Sequence, residues 1–404
     1  MRKLSSLLLG VSLFLPVASF ADTAINSPKT LKKHKTHTTH KVHYKGEAKP
    51  APAAAQNNKP SDFKVTGYLD GSYNHLIRNK FTSGSFDRVF DLVPNGFTLQ
   101  QAATTLAYQP SQGFGALLNL IAGHDASLIA PYGLNPSSQF DSQTFAVDLT
   151  QAYLQYVKGP VTLMGGIFLT LVGVEQIDPT QNANFSRSIL FYNTPDTHTG
   201  VRGIYAVNDK LTLTLGVNDG WDNIRDWSRR KTIEFGMSYT VNPMFSFSLQ
   251  GYNGQERATP RTAFGPEGTR SLIDFIATLN ATDKLTLIVN TDYGCQSTAT
   301  LPTGGLGSAV WYGIAGYANY KFNEKWRTSL RGEYFNDPNG FRTGVMQNWR
   351  ELTLTIGYIP LKNLEVRAEA RHDFSNTNSF LNSNNITASN NTQSYALEAV
   401  YKFS

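Results

Sequence analysis

Between Leu361 and Ser404 apolar and ionic residues alternate one by one: Leu364, Val366, Ala368 and Ala370 take one parity, and Glu365, Arg367, Glu369 and Arg371 the other. A helix would scatter both sets round its circumference, whereas a strand gives each set its own face. The same period-two pattern predicts strands at 64–77, 96–108, 113–124, 143–157, 161–172, 198–207, 210–219, 231–241, 244–254, 271–282, 284–295, 308–322, 325–335, 349–358, 362–373 and 393–403. Leu211, Leu213, Leu215 and Val217 oppose Thr212, Thr214 and Asn218; Leu352, Leu354 and Ile356 oppose Glu351, Thr353 and Thr355. The segment 143–157 loses phase, which predicts a bulge near Thr150.

The connections separate two classes of fold that share this alternation. Gln109 to Gln112, Lys158 to Pro160, Asn208-Asp209, Asn242-Pro243, Asp283, Asn323-Glu324 and Pro360-Leu361 are tight turns, each following an even-numbered strand. The other connections read as long, about 11 to 25 residues. A soluble sandwich has no reason to sort its loops by parity. The expected fold is therefore all-β, a transmembrane antiparallel barrel of about 16 strands with both termini on the short-turn side. Strands of about ten residues suit a tilted bilayer crossing. Tyr68, Tyr156, Tyr239, Tyr358, Tyr401 and Phe403 fall near the short-turn ends, where amphipathic rings favour a headgroup interface.

Composition refines this picture at the N-terminus. Arg2 and Lys3, the apolar run Leu7 to Val17 and the small residues Ser19 and Ala21 predict a signal peptide over 1–21. Residues 22–62 read as a disordered Lys/His/Ala/Pro-rich arm in the periplasm, leaving 63–404 for the barrel. Arg2, Lys3 and eight arm lysines more than account for the net charge of +6, so the rest of the chain is slightly acidic and no nucleic-acid partner is expected. His34, His37, His40 and His43 recur every third residue and are candidate metal ligands, beside the plainer reading of a solvated basic linker. The single cysteine, Cys295, forms no intrachain disulfide, and no cofactor motif appears.

The longest connection, 173–197, gathers Ile189, Leu190, Phe191 and Tyr192, so it is expected to pack rather than float. Sixteen strands enclose a lumen wide enough to need narrowing. Folded inward, this loop would bring Glu175, Asp178 and Arg187 towards the lumen-facing Arg327, Arg331, Glu333, Glu365, Arg367, Glu369 and Arg371. Carboxylates opposed to guanidiniums across a constriction set ion preference. The alternative is a loop that caps the outside or meets a neighbouring subunit.

Several stretches resemble the OmpL-like β-barrel porin family: Ile177 to Asn182, Asn184 to Ser188, Thr197 to Arg202, Gln109 to Gly115, Gln151 to Tyr156, Gly216 to Asp222 and Arg331 to Phe335. The resemblance runs from about residue 64 to the end and implies an outer-membrane porin-like barrel of a Gram-negative bacterium. Its arm lies outside that similarity, and Ser404 follows the aromatic Phe403 that would otherwise close the last strand. The function expected is passive diffusion of small hydrophilic solutes or ions. The alternative is a structural or adhesive barrel with a plugged lumen, its basic arm on peptidoglycan or anionic lipid. Outer-membrane lipid surrounds either, and a homotrimer is the candidate assembly by analogy with porins of this strand count. Ser186 and His198 are close in sequence but carry no local hydrolase signature, so no enzyme is expected.

Overall fold

Alternation yields a stable sheet only where one face finds a medium of its own and no edge is left open. The computed structural model describes residues 63–77, 80–81, 88–129, 145–225, 230–258, 266–381 and 388–403. The candidate signal peptide, the arm and its four histidines lie outside the described residues.

In chain order the strands are β1 (Lys64–Leu76), β2 (Lys80–Phe81), β3 (Gly96–Tyr108), β4 (Gly113–Gly123), β5 (Ala146–Lys158), β6 (Val161–Leu169) and β7 (Thr197–Ala206). They continue with β8 (Leu211–Asn218), β9 (Thr232–Asn242), β10 (Phe245–Arg257), β11 (Glu267–Asn280), β12 (Leu285–Thr300) and β13 (Leu306–Lys321). Last come β14 (Trp326–Asp337), β15 (Gln347–Leu361), β16 (Leu364–Ser375), β17 (Phe380–Leu381), β18 (Ala388–Ser389) and β19 (Asn391–Phe403). Two short helices, α1 (His124–Ile129) and α2 (Ile189–Tyr192), sit in the connections at the long-loop end. All strands except the two-residue β2, β17 and β18 form one closed antiparallel barrel of 16 strands; those three make a separate small sheet.

Closure joins the first strand to the last in the register Gly67↔Phe403 to Leu76↔Ser394. At that seam glycine is required: a Cβ on Gly67 would strike the Phe403 ring that lies over it. The outer wall carries Leu213, Leu215, Val217, Leu352, Leu354 and Ile356, all exposed, while Glu365, Arg367, Glu369 and Arg371 on the opposite parity are buried inside. Four tight turns share one chemistry: Asn208, Asn242 and Asn323 each accept two following backbone N–H groups through the side-chain oxygen, and Thr282 does so through its hydroxyl. Aromatic pairs ring this end, including Phe114–Tyr156 at 4.8 Å and Trp326–Tyr358 at 4.5 Å between centroids.

The register of β4 against β5 shifts between Asn119 and Leu120, leaving Thr150 unpaired as the lost phase predicts. A second shift lies between Asp70 and Gly71 and skips Gln100.

Two expectations fail. Tyr68 is not at the lipid interface: its parity is that of Asp70 and Ser72, it is buried inside, and its hydroxyl donates to Gln101 Oε1 at 2.7 Å. A tyrosine suits either side of the wall, so its parity decides. The strands β10 to β13 also extend past the expected limits, so that β12 and β13 are joined by only five residues, 301–305. Hydrogen bonding outlasts the hydrophobic alternation there, since a hairpin beyond the bilayer needs ladder bonds but no greasy face.

Candidate functional site

At Leu169 the chain leaves the wall instead of continuing outward, because Thr170 N–H donates to Asp196 C=O at 3.0 Å and closes the neck of the connection 170–196. Within this neck the Tyr252 hydroxyl accepts from Leu171 N–H at 2.7 Å, and Asn290 Oδ1 accepts from Val174 N–H at 3.2 Å. Tyr252 and Asn290 belong to the inner face of the barrel. The loop therefore starts across the inner face of β10 to β12. Gly173 makes this bend with φ of +81°, a left-handed conformation that favours glycine.

The rest of the loop is built around its own polar groups and then fastened to β14, β15 and β16. Gln176 and Asn182 exchange hydrogen bonds at 2.8 Å in each direction. The Asp178 side chain accepts from Thr180 N–H at 2.8 Å and caps a single 3-10 turn, Pro179–Gln181. Burial raises the Asp178 carboxyl above its ordinary pKa, against the hydrogen bonds from Thr180 that favour its anion.

Two wall carboxylates each grip a pair of consecutive amides. Glu369 accepts from Phe185 N–H at 2.7 Å and Ser186 N–H at 2.9 Å, and Glu333 from Ile189 and Leu190 at 2.7 and 2.6 Å. Wall guanidiniums take the neighbouring carbonyls: Arg367 donates to Pro179 at 3.1 Å, Arg327 to Ala183 at 2.7 Å, Arg331 to Ser186 and Arg371 to Arg187, both at 2.6 Å. A direct ion pair also joins loop to wall, Glu175–Arg331 at 2.7 Å. Arg187 turns inward on its own loop, donating to the carbonyls of Gln176, Ile177 and Phe185 and lying 5.1 Å from the Phe90 ring.

All ten residues singled out for the constriction thus meet at one interface. Nine are buried, and Asp178 is half-buried. Glu175 touches its guanidinium partner directly, so no open gap separates that pair. Along the wall, ion pairs continue through Arg327–Glu365 at 2.6 Å, Arg331–Glu351 at 2.6 Å, Arg367–Glu398 at 2.9 Å and Arg371–Asp373 at 2.7 Å. Glu351, Asp373 and Glu398 are not among the ten, although each shares the inward parity of its strand. Asn184 adds a further contact, donating to Thr355 Oγ1 at 2.6 Å.

The other side of the loop is apolar. Val172, Ile189 and Leu190 pack with Tyr252, Ile276, Ile288 and Trp311, which face inward. A barrel interior that was wholly water-filled would have no use for such a cluster, so here it holds the loop. His198 is fully buried, with its ring stacked on Tyr252 at 4.4 Å and Nδ1 2.9 Å from Gly220 O; Ser186 Oγ is 3.1 Å from Arg331. Among the described residues no group of three or more His, Cys, Asp or Glu could hold a metal.

Among solved structures, the chain is similar to the outer-membrane channel DcaP of Acinetobacter baumannii, with TM-score 0.57, 13% identity, and 85% of this chain and 97% of that one covered. OmpT of Vibrio cholerae, in a form described as a trimer, gives 0.55 and 11%, with 85% and 99% covered. An anion-selective porin from Comamonas acidovorans gives 0.54 and 11%, with the same coverage. At these identities the likeness is one of fold. Comparison with curated proteins gives no significant match. The family described as "Putative beta-barrel porin-2, OmpL-like" matches residues 62–403, and the chain belongs to this family of outer-membrane β-barrel porins.

Proposed function

We propose that the barrel is a passive channel for small hydrophilic solutes and that the connection 170–196 narrows its lumen. The observation that carries this reading is the attachment of the loop to inward residues on both sides, Asn290 and Tyr252 on one and Glu333, Glu369 and Arg331 on the other. A loop held by a dozen polar contacts is a fixed obstruction, and fixed obstructions set size limits. Conductance in planar bilayers tests it: discrete steps are expected from the refolded full-length protein, and their absence rejects the channel.

The second reading is a plugged structural barrel. It is favoured by the near-complete burial of inward residues towards the long-loop end, where Ile121, Thr150, His198, Asn218, Glu234 and Tyr252 are each at most 1% exposed. The same recording separates the two. With either reading we propose export by the 1–21 signal, periplasmic termini, a homotrimer, and an arm at 22–62 that meets peptidoglycan or anionic lipid. Metal binding by His34, His37, His40 and His43 belongs to that arm and is tested on it by zinc titration.

A further inference from the structure

The charges inside this barrel stand all round its wall, from Asp70 and Asp148 through Arg270, Asp274 and Asp292, but they are buried. Arg331, Glu351, Arg371 and Asp373 are at most 4% exposed, and so are the Arg367–Glu398 pair beside them. Across the lumen Arg202 is clamped to Glu234 at 2.6 Å and lies 4.0 Å from the Phe168 ring. Nearer the short turns, on β3 to β9, the inward residues that remain partly exposed are of another kind. They include Thr105, Asn119, Gln151, Tyr153, Thr214 and Ser238. Among the described inward positions, the charged groups left partly open to water are Asp178 on the loop and lysines at the short-turn rim such as Lys402, whose ammonium is 3.3 Å from Thr180 O.

Such a separation has an electrostatic consequence. Ion discrimination requires a fixed charge in the wet part of the path. A buried pair of opposite charges presents only a dipole, and at physiological salt its residual field fades over a Debye length of about 8 Å. The exposed wall offers instead hydroxyl and amide groups that both donate and accept, with Asn119 already bonded to Thr105 at 2.7 Å, and the ring of Tyr153. These are the partners of a solute with many hydroxyl groups and no charge.

We infer that the passage selects uncharged, polyhydroxylated solutes over ions and charged analogues. This rests on the channel reading. The loop and the β14 to β16 wall use their ionic groups on each other, and Asp148, Arg202 and Glu234 on β5, β7 and β9 are buried, so apart from Asp178 and the rim lysines the permeating solute meets neutral side chains of β3 to β9.

Proteoliposomes containing the full chain test this by swelling in glucose, gluconate and glucosamine, three probes of similar size, alongside reversal potentials in a potassium chloride gradient. Glucose is expected to enter at least as fast as either charged probe, with a potassium to chloride permeability ratio within about threefold of unity. Preference beyond about threefold for one charge, with conductance present, overturns this inference and leaves the channel standing. Silence in both assays removes the channel and this inference together. Placing charge on the wall, by Thr214→Glu and separately by Ser238→Arg, should shift the permeability ratio towards cations and anions respectively by about fivefold. Variants that fold, by heat-modifiable mobility on gels, yet leave the ratio unchanged overturn the proposal.

Discussion

Arg331 joins the buried charge of the loop to that of the wall. Its guanidinium meets Glu175 at 2.7 Å and Glu351 at 2.6 Å and also donates to Ser186 C=O, with none of its surface exposed. Arg331→Ala leaves Glu175 buried without its guanidinium and Glu351 with only the more distant Arg371 at 3.6 Å, a defect that costs about 3–5 kcal/mol. The expected result is a clear fall in the thermal midpoint in detergent. Replacing the group as a whole, Arg331→Met with Glu175→Gln and Glu351→Leu, should recover most of that loss, because desolvation of the ions is removed along with their attraction. Asp178 behaves differently, since burial raises its pKa above the unfolded value. That sign means its contribution is present in full below the unfolded carboxylate pKa, about 4, and is lost as pH rises through the folded one. Asp178→Asn, which keeps an oxygen for Thr180, should therefore gain on the natural protein as pH rises through that window and match it below; denaturant midpoints across pH 3 to 8 read this, and a constant difference contradicts it.

Among the elements, strands were legible, while the loop's destination was one of two readings the sequence left open, inward against β14 and β16 or outward. Period two placed the limits of β3 at 96–108 and the bulge at Thr150 because both follow from which face each residue takes. Local pattern also showed that Ile189 to Tyr192 must pack. It could not show that Glu333 and Glu369 would be the residues holding the amides of α2 and of Phe185-Ser186, because that depends on which wall faces β6 across the barrel. Glu351, Asp373 and Glu398 carried the right parity, yet a carboxylate facing water and one facing a guanidinium look alike in one sequence. The two latches make a prediction at this scale. Glu333→Gln with Glu369→Gln leaves one carbonyl oxygen at each site where two carboxyl oxygens took four amides, so at most two of the four bonds persist. The loop should loosen while the hydrogen-bonded ladder of β14 to β16 persists, giving larger or noisier conductance steps from a barrel of normal gel mobility. Unchanged conductance would show that the apolar contacts of Ile189 and Leu190 suffice.

For the whole molecule, the ring of strands is the unit of stability. Every barrel strand is paired on both sides, and β19 supplies the last partner to both β1 and β16. In hydrocarbon an unpaired backbone group has no water to turn to, and each costs several kcal/mol. Deleting residues 391–404 therefore does more than remove one strand: it opens two edges at once, one on β1 and one on β16, and no neighbouring strand is available to cover either. Such a deletion should abolish the heat-modifiable species and protection from protease. Deleting residues 22–62, which no described strand includes, should preserve both. At the seam itself Phe403→Ala removes only the ring over Gly67, so it tests closure without opening it. Cross-strand pairs contribute about 0.2–1 kcal/mol, so this variant should still close, but with a lower midpoint and slower recovery from urea. A Phe403→Ala barrel that refolds at the natural rate would place the nucleus of closure elsewhere along β19.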